Sequence, residues 1–454
     1  MSAMKTWLVN GRDAFQTRLW PTPTIAVVAA LLLGLGVPQL DSAVNGHLSG
    51  RVSGWLFGGD ADAARSLLGA IASSLITVTA LTFSLTVVTL QLASSQFSPR
   101  LLRTFTRDQF VQATLALFLA TFTYSLTVLR AVRSAGDSGQ REFVPNIAIT
   151  LAFVLTVASV LGLVLFLAHL TEQIRVETML RNVHRDALST MRAVLTEGGP
   201  AVTDDRAHEP QQPADAVQLL VDDEGFLIRV DQGELVKVAV HEHAMILLDV
   251  YPGSFLVTGT PLGAAWPAGG GRFDEGVPDR IAEMVAGCIH TGFERTASQD
   301  VGFGLRQLTD VANKALSPGI NDPTTAIHAL GHISAFLCDL TDRNLGTELL
   351  RDEDDRVRVM LRRPDLATYV DLGISQPRRY GAADPQVLEK VFQVLLDLSH
   401  RVAPEQRPVV FDQLERLRAT VDAQSFDSHE RTALVGLGLR IEQNLRGPRS
   451  SSTA

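Results

Sequence analysis

Four long stretches without a single Asp, Glu, Lys or Arg dominate the first 170 residues: 25–40, 67–92, 110–129 and 147–170. About 20 apolar residues in a helix reach across the roughly 30 Å of bilayer hydrocarbon. In lipid every backbone N–H and C=O must find its partner within the segment, which a helix provides. The competing reading is a set of buried core helices in a water-soluble protein, which four such runs in succession disfavour. The first run, entered through Trp20, Pro21 and Pro23, has the length of a signal-peptide core. No small-x-small cleavage site follows it, so it is read as a span. The expected fold class is an α-helical integral membrane protein with four transmembrane helices, at about 25–40, 67–94, 110–129 and 146–170. A mostly α-helical cytoplasmic domain with a small β subdomain follows.

Charge divides the chain at the same place. Up to Leu170 there are 11 Lys and Arg against 7 Asp and Glu, and from Thr171 onward 29 against 42. An acidic second part repels phosphate backbones, so no nucleic-acid partner is expected. Positive charge favours the cytoplasmic side of a membrane. Lys5, Arg12 and Arg18 precede the first span, Arg100, Arg103 and Arg107 lie between the second and third, and Arg175, Arg181 and Arg185 follow the fourth. Both termini are therefore expected in the cytoplasm. The loop after the first span, with Arg51 and Arg65, also holds three aspartates. Cys288 and Cys338 suggest no disulfide framework.

The second span carries two hydroxyl stripes: Ser73, Thr77, Ser84 and Gln91 on one, and Thr79, Thr82, Thr86 and Thr89 on the other. Small polar residues let membrane helices approach closely and bond across the contact. They can also line a wet pathway. Gln91 and Gln96 fall near the inner end. Arg100, Arg103 and Arg107 then make one basic face, which snorkelling beside anionic lipid explains.

Past the fourth span, apolar residues recur at Val176, Leu180, Val183, Ala187, Met191 and Val194. This predicts one helix from about 145 to 195, whose apolar stripe needs a partner in the same chain or in a neighbouring copy. Residues 197–216 read as a polar linker. A small α+β subdomain is expected over 217–268. It has strand-like runs at 225–230 and 244–250, an Asp231–Glu234 capping box, and turns at Pro252-Gly253 and Thr258-Gly259. Its pattern is similar to the hammerhead of barrel-sandwich domains, without a lysine to carry a swinging-arm cofactor. Residues 278–446 read as helical and 447–454 as a disordered tail, after a short cytoplasmic N-terminus of 1–23.

The stretch SPGINDPTTA, 317–326, stands between two helices. Pro318-Gly319 suits the middle of a type II turn. Asp322 before Pro323 suits an N-cap before a first-turn proline. The functional alternative is that Asn321 and Asp322 hold a polar ligand, together with Asp300 and Asp310 from the polar run that also holds Arg306, Gln307 and Asn313. His328 and His332, with Cys288 and His290, have zinc-compatible residue types, but the apolar neighbours of the histidines favour core packing. No metal site and no cofactor are therefore expected. No nucleophile elbow, phosphate loop or His-Glu-x-x-His is present, and no catalytic residue is assigned.

The stretches LTFSLTVVTLQLASSQFSPRLLRTF, RTASQDVGFGLRQLTDVANKALSPGINDPTTAIHAL and RRYGAADPQVL resemble a bacterial family of predicted membrane proteins, domain of unknown function 2254. The likeness runs from the first span to about residue 445. It implies a multi-pass protein of the bacterial inner membrane with a cytoplasmic domain, and supplies no catalytic residues. The leading functional expectation is an oligomeric channel or permeation protein, a homo-oligomer in the lipid bilayer with the second span lining the path. A ligand- or partner-binding scaffold or sensor is the alternative, and a metal-dependent membrane enzyme the third reading.

Overall fold

The computed structural model describes residues 20–44, 56–96, 108–133, 143–173, 175–197 and 210–447. It divides into two compact units, Met1–Arg175 and Val176–Ala454.

The first unit holds α1 (Pro21–Val44), α2 (Ala61–Gln96), α3 (Gln109–Ala131) and α4 (Asn146–Gln173). All four are long and apolar enough to cross a membrane. Helix α3 packs against the other three. Ala61, Ala64, Leu68, Ile71 and Leu75 of α2 meet Tyr124 and Val128 of α3 and Ala148, Ile149 and Ala152 of α4. Small residues at this seam let the backbones come close. Val157, Leu161, Val164 and Leu165 of α4 are exposed, the surface a lipid-facing helix presents.

The spans are not free of acid. Asp41, expected in the loop after the first span, lies inside α1 and is completely buried. Its Oδ2 accepts from the backbone N–H groups of Ile147 (2.8 Å) and Ala148 (3.4 Å). The first N–H groups of a helix have no partner within it, and here a neighbouring helix supplies one to α4. The Tyr124 hydroxyl donates to the Ala148 carbonyl oxygen at 3.1 Å, at the same helix end.

In the second unit the expected single helix across 145–195 is two, because α4 closes at Gln173 and α5 spans Val176–Val194. Neither glycine nor proline marks the interruption, so periodicity alone joins them. The apolar stripe of α5, Met179, Leu180, Val183, Ala187 and Met191, is buried. Its partners, α8 (Val301–Ala315) and α9 (Pro323–Leu340), lie in the same chain.

Eight strands are present among the described residues: β1 (Val217–Leu220), β2 (Gly225–Val230), β3 (Ala244–Leu248), β4 (Phe255–Leu256), β5 (Pro261–Pro267), β6 (Ile289–Gly292), β7 (Glu348–Arg351) and β8 (Val357–Leu361). They form an open five-stranded sheet of order β1-β5-β3-β8-β7 and a three-stranded sheet β4-β2-β6. Only the β3–β8 pair is parallel. Strands β6, β7 and β8 come from the stretch read as helical. Runs of four or five residues between charged neighbours carry too short a pattern to be told from a helix turn, and long-range pairing with β2 and β3 decides them. Asp231 makes no side-chain cap to α6 (Gln232–His241), and Glu234 instead accepts from Lys237 at 2.8 Å, so the expected capping box does not form. Helices α6 and α7 (Val277–Cys288) cover the sheets around Leu235, Ile246, Leu248, Ile281 and Val285. The rest is helical: α10 (Leu366–Tyr380), α11 (Pro385–Arg401), α12 (Arg407–Asp422) and α13 (Ser428–Arg446) pack on α8 and α9 and on one another.

Candidate functional site

Where the sheets meet the helical layer, the second unit holds a cavity of about 250 Å³. Its walls come from the end of α5, β2, the loop after β3, the start of α8, the end of β8 and α10. Four arginines, 295, 306, 362 and 363, and two aspartates, 300 and 371, line it with Tyr251 and Tyr369.

Asp300 stands at the N-cap position of α8 and is 4% exposed. The Arg295 guanidinium holds its Oδ2, with Nε at 2.8 Å and Nη2 at 2.6 Å. Both donors converge on the one oxygen, a short charge-assisted pair. Arg295 also lies over the Phe303 ring, 5.9 Å from its centre. Burial raises the Asp300 carboxyl above the ordinary aspartate value, although Arg295 opposes the shift. Burial likewise raises the Tyr369 hydroxyl, with the Asp300 charge adding to it. The turn at Pro252-Gly253 closes over the pair. Gly253 has φ +99°, and a Cβ there would sit 2.3 Å from Asp300 Oδ2, so both backbone and space demand glycine.

Arg362 and Arg363 are braced as well. Arg363 pairs with Glu348, and its Nη1 donates to the Val194 carbonyl oxygen at the end of α5 at 2.9 Å. Burial raises the Glu348 carboxyl against the lowering effect of Arg363. Arg362 pairs with Asp249 at 2.5 Å. A guanidinium has five N–H donors, so one carboxylate leaves others for a further acceptor.

Of the four residues expected to bind a ligand, the structure does not bring all together. Asp300 is in the cavity wall and Asp310 lies ten residues along α8. Asn321 and Asp322 stand beyond its far end, about 22 Å away along a 15-residue helix. At that corner the polar atoms cap. Asp322 Oδ1 accepts from the Thr325 N–H at 3.1 Å and Oδ2 from its hydroxyl at 2.6 Å. These bonds hold the Asp322 carboxyl below the ordinary value. The turn is not type II, because Gly319 has no positive φ. The turn instead closes on the Ser317 carbonyl oxygen, which accepts from the Ile320 N–H at 3.0 Å and the Asn321 N–H at 2.9 Å. Asn321 takes the left-handed conformation at φ 50°, which asparagine tolerates better than most residues.

The two hydroxyl stripes of α2 face different surroundings. Thr79, Thr82, Thr86 and Thr89 are buried, while Ser73, Thr77, Ser84 and Gln91 are exposed. Thr79 and Thr86 bond back to the Leu75 and Thr82 carbonyl oxygens of their own helix, and the Thr82 hydroxyl is buried without a partner. Arg100, Arg103, Arg107 and the side chain of Gln96 lie outside the described residues. The zinc-compatible residues are not gathered. His290 faces Arg229 at 3.2 Å, and the His332 ring lies 5.1 Å from that of His184. Among the described residues no three metal-ligating side chains cluster.

Sequence reasoning singled out Asp300 and Arg306 but missed Arg362, Arg363 and Tyr369 as parts of one site. They lie more than 50 residues further along the chain and carry no motif. The close Pro252-Gly253 turn was visible in the sequence, but not what it covers.

Comparison with known proteins agrees with this architecture. The model of the predicted membrane protein family, domain of unknown function 2254, matches residues 16–397. An uncharacterized protein of Mycobacterium tuberculosis H37Rv and another of Mycobacterium bovis are each 35% identical over 456 residues, covering 98% of this chain and 85% of the relative. No solved structure matches. With four membrane-length helices in place and the match covering most of its length, this chain belongs to that family of predicted membrane proteins.

Proposed function

We propose that this membrane protein is a ligand-responsive receptor or sensor whose second unit binds a small molecule in the cavity between β2, α8 and α10. The observation carrying this reading is the cavity itself. Buried, oriented polar groups converge there between apolar walls, the usual composition of a small-molecule site. Four of the arginines and tyrosines that line it are held in place by partners or burial, so a ligand would meet a pre-organised surface. On the same reading the protein is a multi-pass component of the bacterial inner membrane with both termini, and the second unit, in the cytoplasm.

The test uses the full chain in detergent, melted in the presence of a broad metabolite library. The expected result is a rise in melting temperature with at least one compound, since a ligand at a hundred times its Kd stabilises by about 2.7 kcal/mol. Gly302→Leu should abolish that rise. A Cβ at Gly302 is tolerated, 3.4 Å from Asp300 Oδ1 and 3.6 Å from Tyr369, and the longer side chain fills the cavity. A library that leaves the melting temperature unchanged removes the receptor reading.

A second reading, an oligomeric permeation protein, is supported by the exposed stripe of Ser73, Thr77, Ser84 and Gln91. A polar line on the outer face of a membrane helix is best satisfied against a second copy or water.

A further inference from the structure

We infer that the seam between α5 and α9 is an acid-released clasp, in which protonation of His184 and His332 loosens the first half of α5 from the second unit. The inference is independent of the ligand reading. Helix α5 opens the second unit at Val176 and packs on α8 and α9. The His184 ring of α5 lies 5.1 Å from the His332 ring of α9, tilted by 49°. Both residues are half-buried, and the Nδ1 atom of His184 is buried with no hydrogen-bond partner among the described residues. A leucine pair would fill such a seam without leaving a polar atom unsatisfied. Neutral rings tolerate the contact. Two imidazolium groups at that distance repel each other, and burial opposes the charged form of each.

The surroundings do little to neutralise that charge. Asp339 of α9 favours a protonated His184, but the same carboxylate lies 4.0 Å from Arg192 of α5, which disfavours it. His328, one turn before His332, adds a third imidazole and no counter-ion. Helices α8, α10 and α11 also pack on α5 or α9. Among the described residues none of them sets a charge against either ring, although Lys390 of α11 comes beside Gly331 of α9. Burial is the largest influence on both imidazoles and holds each below the ordinary value of 6.5. At His332 the His184 and His328 charges add to it.

The sign follows from linkage. A histidine that holds its proton less tightly in the folded chain contributes stability that is complete above the unfolded value of 6.5 and is lost as pH falls below it. The loss is local, because other bonds seat the end of α5. The Thr190 hydroxyl donates to the Ala297 carbonyl oxygen at 3.0 Å, and Arg363 donates to that of Val194 at 2.9 Å. Neither donor changes charge in the range where histidine does. Acid therefore acts on the stretch around His184 and spares the terminus beyond Thr190.

The experiment is hydrogen–deuterium exchange of the full-length protein in detergent, from about pH 7.5 to about pH 5.5, corrected for the intrinsic pH dependence of exchange. Protection over 177–188 should fall about tenfold or more, the effect of one pKa unit at one histidine. Helix α11 should keep its protection throughout. His332→Leu and His184→Gln should each flatten the profile of α5. Asp339→Asn removes the charge that favours protonation, so the midpoint of the fall should move to lower pH, a shift that a purely structural contact would not produce. Wild-type protection that stays level across this range overturns the proposal, as does a fall equally steep in both histidine variants or a midpoint that Asp339→Asn leaves in place.

Discussion

Asp300 concentrates the electrostatics of the cavity in one side chain. Burial favours its neutral form and the Arg295 guanidinium favours its charged form, and burial is the larger effect, so its carboxyl titrates above the ordinary 3.8. A carboxyl raised in the folded state binds its proton more tightly there than in the unfolded chain. Its stabilising contribution is thus complete below the unfolded value and is lost as pH rises through the folded one. Asp300→Asn strands the Arg295 cation, a quarter of whose side chain is exposed. We expect a loss of about 1–3 kcal/mol at pH 7, discounted from the cost of breaking a fully buried pair. The gap between wild type and variant should widen on acidification, because a carboxyl raised in the folded state adds stability as it takes up its proton, whereas the asparagine does not titrate. Urea melts of both proteins from pH 7 downward measure this. A gap that stays constant would mean that the carboxyl titrates alike in the folded and unfolded chain.

At the scale of elements, the contact between α5 and α8 depends on the absence of one methyl group. A Cβ on Gly304 would lie 2.3 Å from the Ala187 Cβ and 3.0 Å from its Cα. Gly304→Ala gains about 1 kcal/mol of helix propensity, but overpacking against backbone costs about 1–3 kcal/mol. The variant should be less stable, and Ala187→Gly in the same chain should recover part of the loss, giving a non-zero coupling in a double-mutant cycle. Additive effects would show that the two helices do not rely on this approach. Such contacts explain how much could be read in advance. The four long apolar helices and the α5 stripe were legible, because lipid and core each impose a periodicity on sequence. The Asp322 cap was legible because capping is local. Strands β7 and β8 were not, because such short runs acquire their conformation from pairing, β8 with β3 more than 100 residues earlier and β7 with β8. Asp41 was not, because a lone carboxylate at the end of an apolar run looks like an exit from the membrane until the N-terminus of α4 is beside it. Of the candidate site, Asp300 and Arg306 stood in a polar run, while Arg362 and Arg363 became members only through the fold.

For the molecule as a whole, the division of the α2 hydroxyls separates two roles that the sequence leaves mixed. Thr79, Thr82 and Thr86 are buried in the helix contact, so their replacement by leucine should lower stability by overpacking. Ser73, Thr77 and Ser84 are exposed on the other face. In liposomes, Ser73→Leu with Thr77→Leu should change solute flux without lowering the melting temperature if a permeation path runs along that face. Unchanged flux in this double variant, against measurable wild-type flux, would exclude it. The receptor and permeation readings are compatible within one chain, since each uses a different unit. One detail of the second unit sets how a bound molecule would be felt. Arg363 grips the last turn of α5 by the Val194 carbonyl oxygen while its guanidinium also faces the cavity. The helix that begins where the first unit ends is therefore tied, at its other end, to a side chain that a ligand would touch. An anion drawing that guanidinium toward itself would slacken or tighten a single hydrogen bond. The presence of a solute would thus be converted into tension on one helix terminus.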